Sequence, residues 1–365
     1  MSNPINRIII LSIVLYFSLI FGNVYLLSTI MKILDKNISI SNIILNSALI
    51  ELILYIIMII SLYTIPLFFN KLYYLLFLFV AWYINLFFSS FLYYIPLFLS
   101  FNFNQYINLF FFVGIGTIIT IIGMINEYNL VFDRINIKCN NLKGIIKIAH
   151  LTDLHLGAVY GKDFIQRLVN FIKTEPNIDF IVITGDIVDG NRKMTLEMLE
   201  PFSQLKMPIY YVTGNHESFT FIEETLLTIH NSSLKHICNE NIIFDNKLNI
   251  IGMDWNPNFD LIKSKLYSLI PRNEYPNIFL HHVPIFKAKD LFKYNIFLFL
   301  AGHTHGGQLF PMNIVQWIVA PSFKGLYNYN DSNYVYVCSG VGTSGPPIRT
   351  MSKAMVGLIT LEGTL

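Results

Sequence analysis

The sequence predicts an α/β domain with a layered sheet, set behind a helical membrane region, and three observations carry that prediction. Charge is unevenly spread: residues 1–127 hold four Lys/Arg and three Asp/Glu, and the other 21 basic and 20 acidic residues come later. Beyond residue 144, short apolar runs alternate with stretches of helical periodicity, the pattern of strands joined by helices. Five of those runs are followed closely by Asp, Asn or His, and α/β sheets form their sites at the carboxyl ends of strands.

A bilayer span needs roughly 20 consecutive apolar residues. Four stretches qualify, at 8–31, 43–69, 72–99 and 106–125. The first is too long for a signal-peptide core and has no clear small-residue cleavage site. The fourth carries Gly114, Gly116 and Gly123, which allow close helix contact. Glu51 lies in the second, where a charge is costly, so it is expected to face a bundle interior or an interface. Four spans put both ends of the region on one side. Arg7, Lys71, Arg134, Lys138, Lys143 and Lys147 fall on that side and Lys32 and Lys36 on the other. The positive-inside rule then expects an integral membrane protein whose soluble part faces the cytoplasm.

The expected division is a transmembrane region at 1–127, a linker or opening hairpin at 128–144, and a soluble domain at 145–365. A domain of that size can bury a substantial core. Expected strands lie at 145–149, 180–184, 209–213, 248–253, 278–281, 296–301, 334–339 and 356–361. Residues 161–173 place Phe164, Leu168, Phe171 and Ile172 at helical spacing, and 193–206, 219–230, 259–269 and 285–292 also read as helices. The net charge of +2 includes no basic block, so no nucleic-acid partner is expected. Cys139, Cys238 and Cys338 are far apart and form no CxxC; isolated buried thiols are the expectation.

The strand ends carry Asp153-Leu154-His155, then Gly185-Asp186-Ile187-Val188-Asp189-Gly190, then Gly214-Asn215-His216-Glu217. Further on come His281-His282-Val283-Pro284 and Gly302-His303-Thr304-His305. Six of the nine histidines fall in these segments. Any one of these residues alone reads as a cap or turn residue; the convergent set reads as a metal cluster. Carboxylate, imidazole and amide oxygen without thiolate suit Mn, Fe or Zn.

In this order, Asp-x-His, Gly-Asp-x-x-Asp, Gly-Asn-His-Glu, His and Gly-His-x-His resemble the calcineurin-like metallophosphoesterase superfamily across about residues 145–362. The strings Gly302-His-Thr-His-Gly-Gly-Gln308 and Gly340-Val-Gly-Thr-Ser-Gly-Pro-Pro-Ile-Arg349 resemble its YkuE/YaeI-like branch, which includes proteins with an N-terminal transmembrane region. The segment Ser352-Lys-Ala-Met-Val356 departs from that branch and is expected to form a closing strand away from the chemistry.

The resemblance implies a four-layer αββα sandwich and two divalent metal ions, Mn first, with Fe or Zn as alternatives. One would be held by Asp153, His155, Asp186 and His305, the other by Asp186, Asn215, His282 and His303, with Asp186 bridging. His281 is the alternative to His282. Pro284 two residues on favours His282, and period-two alternation sends His281 to the opposite face. The resemblance also makes His216 the general acid, work that an unperturbed pKa near 6.5 suits. Asp189 would orient His216 or a ligand, or stabilise its turn. Arg349 would reach a substrate phosphate or form a structural salt bridge.

The implied reaction is hydrolysis of a phosphodiester or pyrophosphate by in-line attack of a metal-bridging hydroxide. A bacterial plasma membrane as partner suggests a phosphorylated, lipid-linked substrate. A phosphomonoesterase or protein phosphatase is the alternative within enzymes. A membrane receptor or transport component with a regulatory soluble domain is the alternative from another class.

Overall fold

A computed structural model describes residues 24–32, 39, 41–49, 52–53, 67–91, 104–189, 192–219, 221–320 and 322–364. The chain divides into two compact units, Met1–Ile122 and Gly123–Leu365.

Two helices among the described residues are long and apolar enough to cross a membrane, one within the first unit and one ending in the second. They are α1 (Leu67–Ser90) and α2 (Gln105–Tyr128), with candidate spans at Lys71–Ser90 and Leu109–Tyr128. They match the third and fourth expected spans, except that α1 stops at Ser90. The first two expected spans are described only in part, as helical residues 24–32 and 41–49. Glu51 lies outside the described residues. Polar side chains in apolar helices need partners where water is absent. Trp82 Nε1 donates to Thr117 Oγ1 (3.0 Å), Asn85 Nδ2 to Thr120 Oγ1 (2.9 Å) and Ser89 Oγ to the Phe112 carbonyl (2.8 Å). These bonds tie α1 to α2. Gly116 makes the approach close, since a Cβ there would stand 2.8 Å from Leu86 Cδ2, whereas Gly114 meets nothing within 4 Å.

Among the described residues the second unit contains twelve strands. They are β1 (Val131–Cys139), β2 (Ile145–Leu151), β3 (Phe180–Thr184), β4 (Ile209–Val212), β5 (Leu234–His236) and β6 (Glu240–Phe244). Then come β7 (Leu248–Gly252), β8 (Asn277–Leu280), β9 (Leu298–Ala301), β10 (Gly325–Tyr329), β11 (Asn333–Val337) and β12 (Met355–Gly363). They form two six-stranded sheets, in the orders β1-β12-β2-β3-β4-β5 and β10-β11-β9-β8-β7-β6. Residues 128–144 are neither a linker nor a hairpin. They carry β1, which pairs in parallel with β12 from the far end of the chain, while β12 runs antiparallel to β2.

Period-two alternation sorts these strands into layers. Ile148, Phe180, Val182, Tyr210 and Val212 of the first sheet share one core with Ile250, Ile278, Leu300 and Tyr336 of the second. The intervening Ala149, Ile181, Ile183 and Tyr211 turn the other way, onto Phe164, Leu168 and Ile172 of α3 (Lys162–Ile172). On the far side, Ile251, Phe279, Phe299 and Val335 cover Ile262 and Leu266 of α5 (Phe259–Leu269), which follows α4 (Ile222–His230). Three cores therefore separate helix, sheet, sheet and helix. Each fully buried aliphatic or Phe side chain contributes about 1.5–3 kcal/mol.

Two expected helices are shorter than their periodicity suggested. Pro201 lacks an N–H, and residues 193–206 form one helical turn, Leu196–Leu199, followed by a 3₁₀ segment, Glu200–Gln204. The stretch at 285–292 is 3₁₀ at Ala288–Tyr294. A helix that periodicity did not reveal, α6 (Met312–Val319), follows the last histidine motif. Cys139 and Cys338 are buried free thiols, and Cys238 is exposed.

Candidate metal centre

Strands β2, β3 and β4 run parallel, as do β8 and β9, so their carboxyl ends lie together at one edge of each sheet. The loops leaving those ends bring together all five motifs. Their backbones are unusual: Asp153 (φ 55°), His155 (50°), Asp186 (51°), His303 (72°) and His305 (51°) are all left-handed. Non-glycine residues avoid this region, and clusters of such residues mark functional sites. The loops also come very close together. A Cβ on Gly214 would stand 2.2 Å from Asp186 Oδ1, and one on Gly302 would stand 2.0 Å from Thr152 Oγ1 and 2.5 Å from Asp153 Oδ2.

Two ligand groups result. In the first, His155 Nε2 is 3.1 Å from His305 Nε2, and Asp153 Oδ1 is 3.3 Å from His305 Nε2 and 3.9 Å from His155 Nε2. In the second, His282 Nε2 is 3.1 Å from Asp186 Oδ2 and 3.2 Å from His303 Nδ1. Asp186 links the groups, because its Oδ2 also lies 3.9 Å from His155 Nε2. Within each triad the donor atoms lie within 4.8 Å of one another. Facing ring nitrogens repel unless a proton or cation lies between them. Asp153 Oδ1 and Asn215 Oδ1 are buried and accept no hydrogen bond. Orphaned acceptors of this kind are costly in a dry interior, and a shared cation would satisfy them. The residues therefore fit divalent metal ions.

The rings are held from behind. His282 Nδ1–H donates to the Thr184 carbonyl (2.8 Å), which leaves Nε2 as the free ligand atom. His155 Nδ1 faces Asp189 Oδ1 at 3.3 Å. The Asp189 carbonyl accepts from His216 Nδ1 (2.9 Å), and the His216 amide donates to Asp186 Oδ1 (2.9 Å). His216 Nε2 stands 3.9 Å from Asp186 Oδ2, at the wall of a cavity of about 290 Å³ that Asn215, His303, Gln308, Met312 and Gln316 also line. His281 points away: its ring stacks on Phe279, with centroids 6.0 Å apart, and Nδ1 bonds the Val283 carbonyl.

Charge follows this geometry. Burial works against a proton on His282, but the Asp186 carboxylate beside it prevails and raises the pKa to about 9. Burial lowers His303 to about 4 and holds His305 well below its ordinary value. Burial also lowers His216, against the pull of Asp186. Asp186 and Asp153 are buried, which by itself disfavours their charge, yet the surrounding histidines hold both below the usual carboxylate range.

Several supporting residues were not legible as such in the sequence. The buried Glu217 carboxylate accepts the amides of Asp186 (3.2 Å), Ile187 (2.6 Å), Val188 (3.3 Å) and Gly214 (2.6 Å), and so clamps the Asp186 loop to the Asn215 loop. Its place in Gly-Asn-His-Glu was the available signal. Asp254 Oδ1 holds the Thr213 amide at 2.9 Å, two residues before Asn215. Among the described residues Arg349 forms no salt bridge. It is fully buried, and it donates to the carbonyls of His305 (3.1 Å) and Gly342. It thus props the His303–His305 loop through uncharged acceptors. Gln308 bonds both the amide and the carbonyl of Ser344 and the carbonyl of Pro346 (2.9 Å), which locks the two branch-specific strings together. The departing segment also takes part, because Ser352 Oγ donates to the His305 carbonyl (2.8 Å).

Residues 146–307 match the family model described as calcineurin-like phosphoesterase. An uncharacterized metallophosphoesterase of Aquifex aeolicus is 30% identical over 227 residues, 60% of this chain and 85% of that one. A bovine transmembrane protein with metallophosphoesterase domain is 30% identical over 246 residues, 60% of this chain and 53% of that one. The uncharacterized metallophosphoesterase YkuE of Bacillus subtilis is 27% identical over 241 residues, 60% of this chain and 79% of that one. The chain spans 53–60% of the length of several curated relatives, the bovine one among them.

Proposed function

The chain belongs to the calcineurin-like metallophosphoesterase family, and we propose that it is a metal-dependent phosphoester hydrolase, specifically a membrane-anchored, dinuclear phosphodiesterase or pyrophosphatase. The observation that carries this reading is the pair of Asp/His groups sharing Asp186. Asp153, His155, Asp186 and His305 would hold one divalent ion, and Asp186, Asn215, His282 and His303 the other. Such ions polarise phosphoryl oxygens and make water nucleophilic at neutral pH.

The remaining chemistry belongs to side chains. His216 keeps Nδ1–H on the Asp189 carbonyl, so Nε2 faces the cleft, and the ring, protonated on both nitrogens, would pass its Nε2 proton to the leaving oxygen and return to the neutral Nδ1–H form. Asp189 is a positioning residue: its carboxylate faces His155 and its carbonyl holds His216. Manganese is the preferred ion from the oxygen and nitrogen donor set, with iron or zinc as alternatives. Four spans, a cytoplasmic catalytic domain at a bacterial plasma membrane and a lipid-linked phosphorylated substrate complete the reading. Its support is the two apolar helices, the transmembrane relative and the basic residues flanking the spans.

The test uses the full chain in detergent, loaded with Mn²⁺ and offered phosphodiester, pyrophosphate and phosphomonoester substrates. Asp186→Asn should lose both bound metal and turnover, whereas His216→Ala should keep metal and lose turnover. Equal inactivity of wild type and Asp186→Asn with every divalent metal would refute the proposal. Loss of metal in His216→Ala would make His216 a ligand.

A further inference from the structure

We infer that α6 is an interfacial helix that seats the mouth of the metal cleft on an anionic bilayer surface. This rests on the membrane-anchored reading above and names the surface involved. An amphipathic helix normally turns its apolar stripe inward. Here Ile314, Trp317 and Ile318, spaced i, i+3 and i+4, are 46%, 71% and 68% exposed, and Phe310, just before the helix, is 37% exposed. Met312 is 48% exposed as well. On the same helix, Gln316 and the half-exposed Met312 line the cavity that holds His216 and His303. One eight-residue helix therefore separates the catalytic cleft from an uncovered apolar face.

A bilayer is the occupant because of what this segment is bonded to. The last residues of the candidate span Leu109–Tyr128, Gly123–Tyr128, belong to the catalytic unit. There the Gly123 carbonyl accepts the Arg349 amide (2.9 Å), the Asn126 carbonyl accepts the Ala354 amide (3.0 Å) and Asn126 Nδ2 donates to the Arg349 carbonyl (3.1 Å). The same strip, 349–354, reaches the segment leading into α6: Thr350 Oγ1 accepts the Phe310 amide (3.2 Å), and the Thr350 amide donates to the Gln308 carbonyl (2.9 Å). A single layer of hydrogen bonds thus connects the end of the apolar helix to the start of the exposed stripe. Exposed Lys324, Met351 and Lys353 rim a hollow that also contains Asn126. The one acidic residue lining that hollow, Asp133, is engaged by the Tyr336 hydroxyl (2.9 Å). Apolar side chains including a Trp, flanked by lysines, are what an interfacial helix presents to anionic headgroups. The cleft behind α6 would then address phosphates within the headgroup layer, without the lipid leaving the membrane.

The test is the full chain in nanodiscs containing phosphatidylglycerol and dibrominated phosphatidylcholine. The chain has three tryptophans, so wild-type emission minus that of Trp317→Phe isolates Trp317. Blue-shifted Trp317 emission quenched by the brominated lipid is expected. Water-like emission quenched by iodide alone overturns the inference, as does cross-linking that shows a second copy of the chain over the stripe. In a second arm, the double variant Trp317→Asp/Ile318→Asp should lose roughly tenfold or more of its turnover on a phospholipid diester in the disc. It should retain wild-type turnover on soluble bis(4-nitrophenyl) phosphate. An equal fall on both substrates overturns docking in favour of a distorted cleft. If wild type cleaves neither, the hydrolase reading fails and the quenching arm still decides whether α6 docks.

Discussion

Glu217→Gln is the sharpest test of how the metal loops are built. Each carboxylate oxygen accepts two backbone amides: Oε1 takes Ile187 and Val188, and Oε2 takes Asp186 and Gly214. Glutamine keeps the shape but turns one oxygen into an NH₂ donor, which then faces two N–H groups. Two buried amides lose their acceptor, at about 1–3 kcal/mol each, so the expected loss is about 2–6 kcal/mol. An opposing effect is relief of charge. Burial, with the nearby Asp186 charge, pushes the Glu217 carboxyl up to about 7, so the anion is not held freely. The amide geometry wins, because a protonated carboxyl would also aim a donor at those N–H groups. Hydrogen exchange of the full chain should show faster exchange at Asp186, Ile187 and Gly214, with unchanged exchange in α5. Mn²⁺ affinity should fall alongside, since Asp186 and Asn215 sit on the two loops being clamped. Wild-type exchange and affinity in Glu217→Gln would refute the reasoning.

Gly302→Ala should displace Asp153, because the new methyl would stand 2.0 Å from Thr152 Oγ1 and 2.5 Å from Asp153 Oδ2; metal analysis should show impaired loading of the Asp153 group, and full loading would contradict the close-approach argument. The metal-free protein should be most stable near pH 6.5, the unfolded histidine value. Below it, His150 and His281, which burial lowers to about 3 and about 4, bind protons only when unfolded, so stability falls as pH drops, by up to about 1.4 kcal/mol per pH unit for each. Above it, His282, raised to about 9, binds its proton more tightly when folded, and its stabilising contribution fades as pH rises toward that value. Thermal melts after chelation should trace this peak, Mn²⁺ should flatten the alkaline limb by replacing the His282 proton, and a flat metal-free profile from pH 5 to 9 would contradict both assignments.

The catalytic sheet strands were legible because each is a short apolar run buried on both faces, as Phe180–Thr184 and Leu298–Ala301 are. β1 and β6 were not, because Arg134, Asn136 and Lys138 of β1 and Glu240, Asn241 and Ile243 of β6 are exposed, which interrupts a buried apolar run. β1 in particular depends on β12, more than 200 residues away. The choice of His282 over His281 was legible in outline, since alternation along a strand sends neighbours to opposite faces. The position of Arg349 was not, because its partners are backbone carbonyls that carry no residue signature.

By itself the sequence determined the α/β class, the apolar N-terminal region and the convergence of five Asp-, Asn- and His-bearing strand ends, since strand burial and metal-donor chemistry are written in residue type and spacing. The tertiary structure decided how closely those donors approach one another, which buried groups clamp their loops, and which side of α6 is left bare. Those depend on backbone amides, carbonyls and close approaches between segments distant in the chain, none of which has a letter in the sequence.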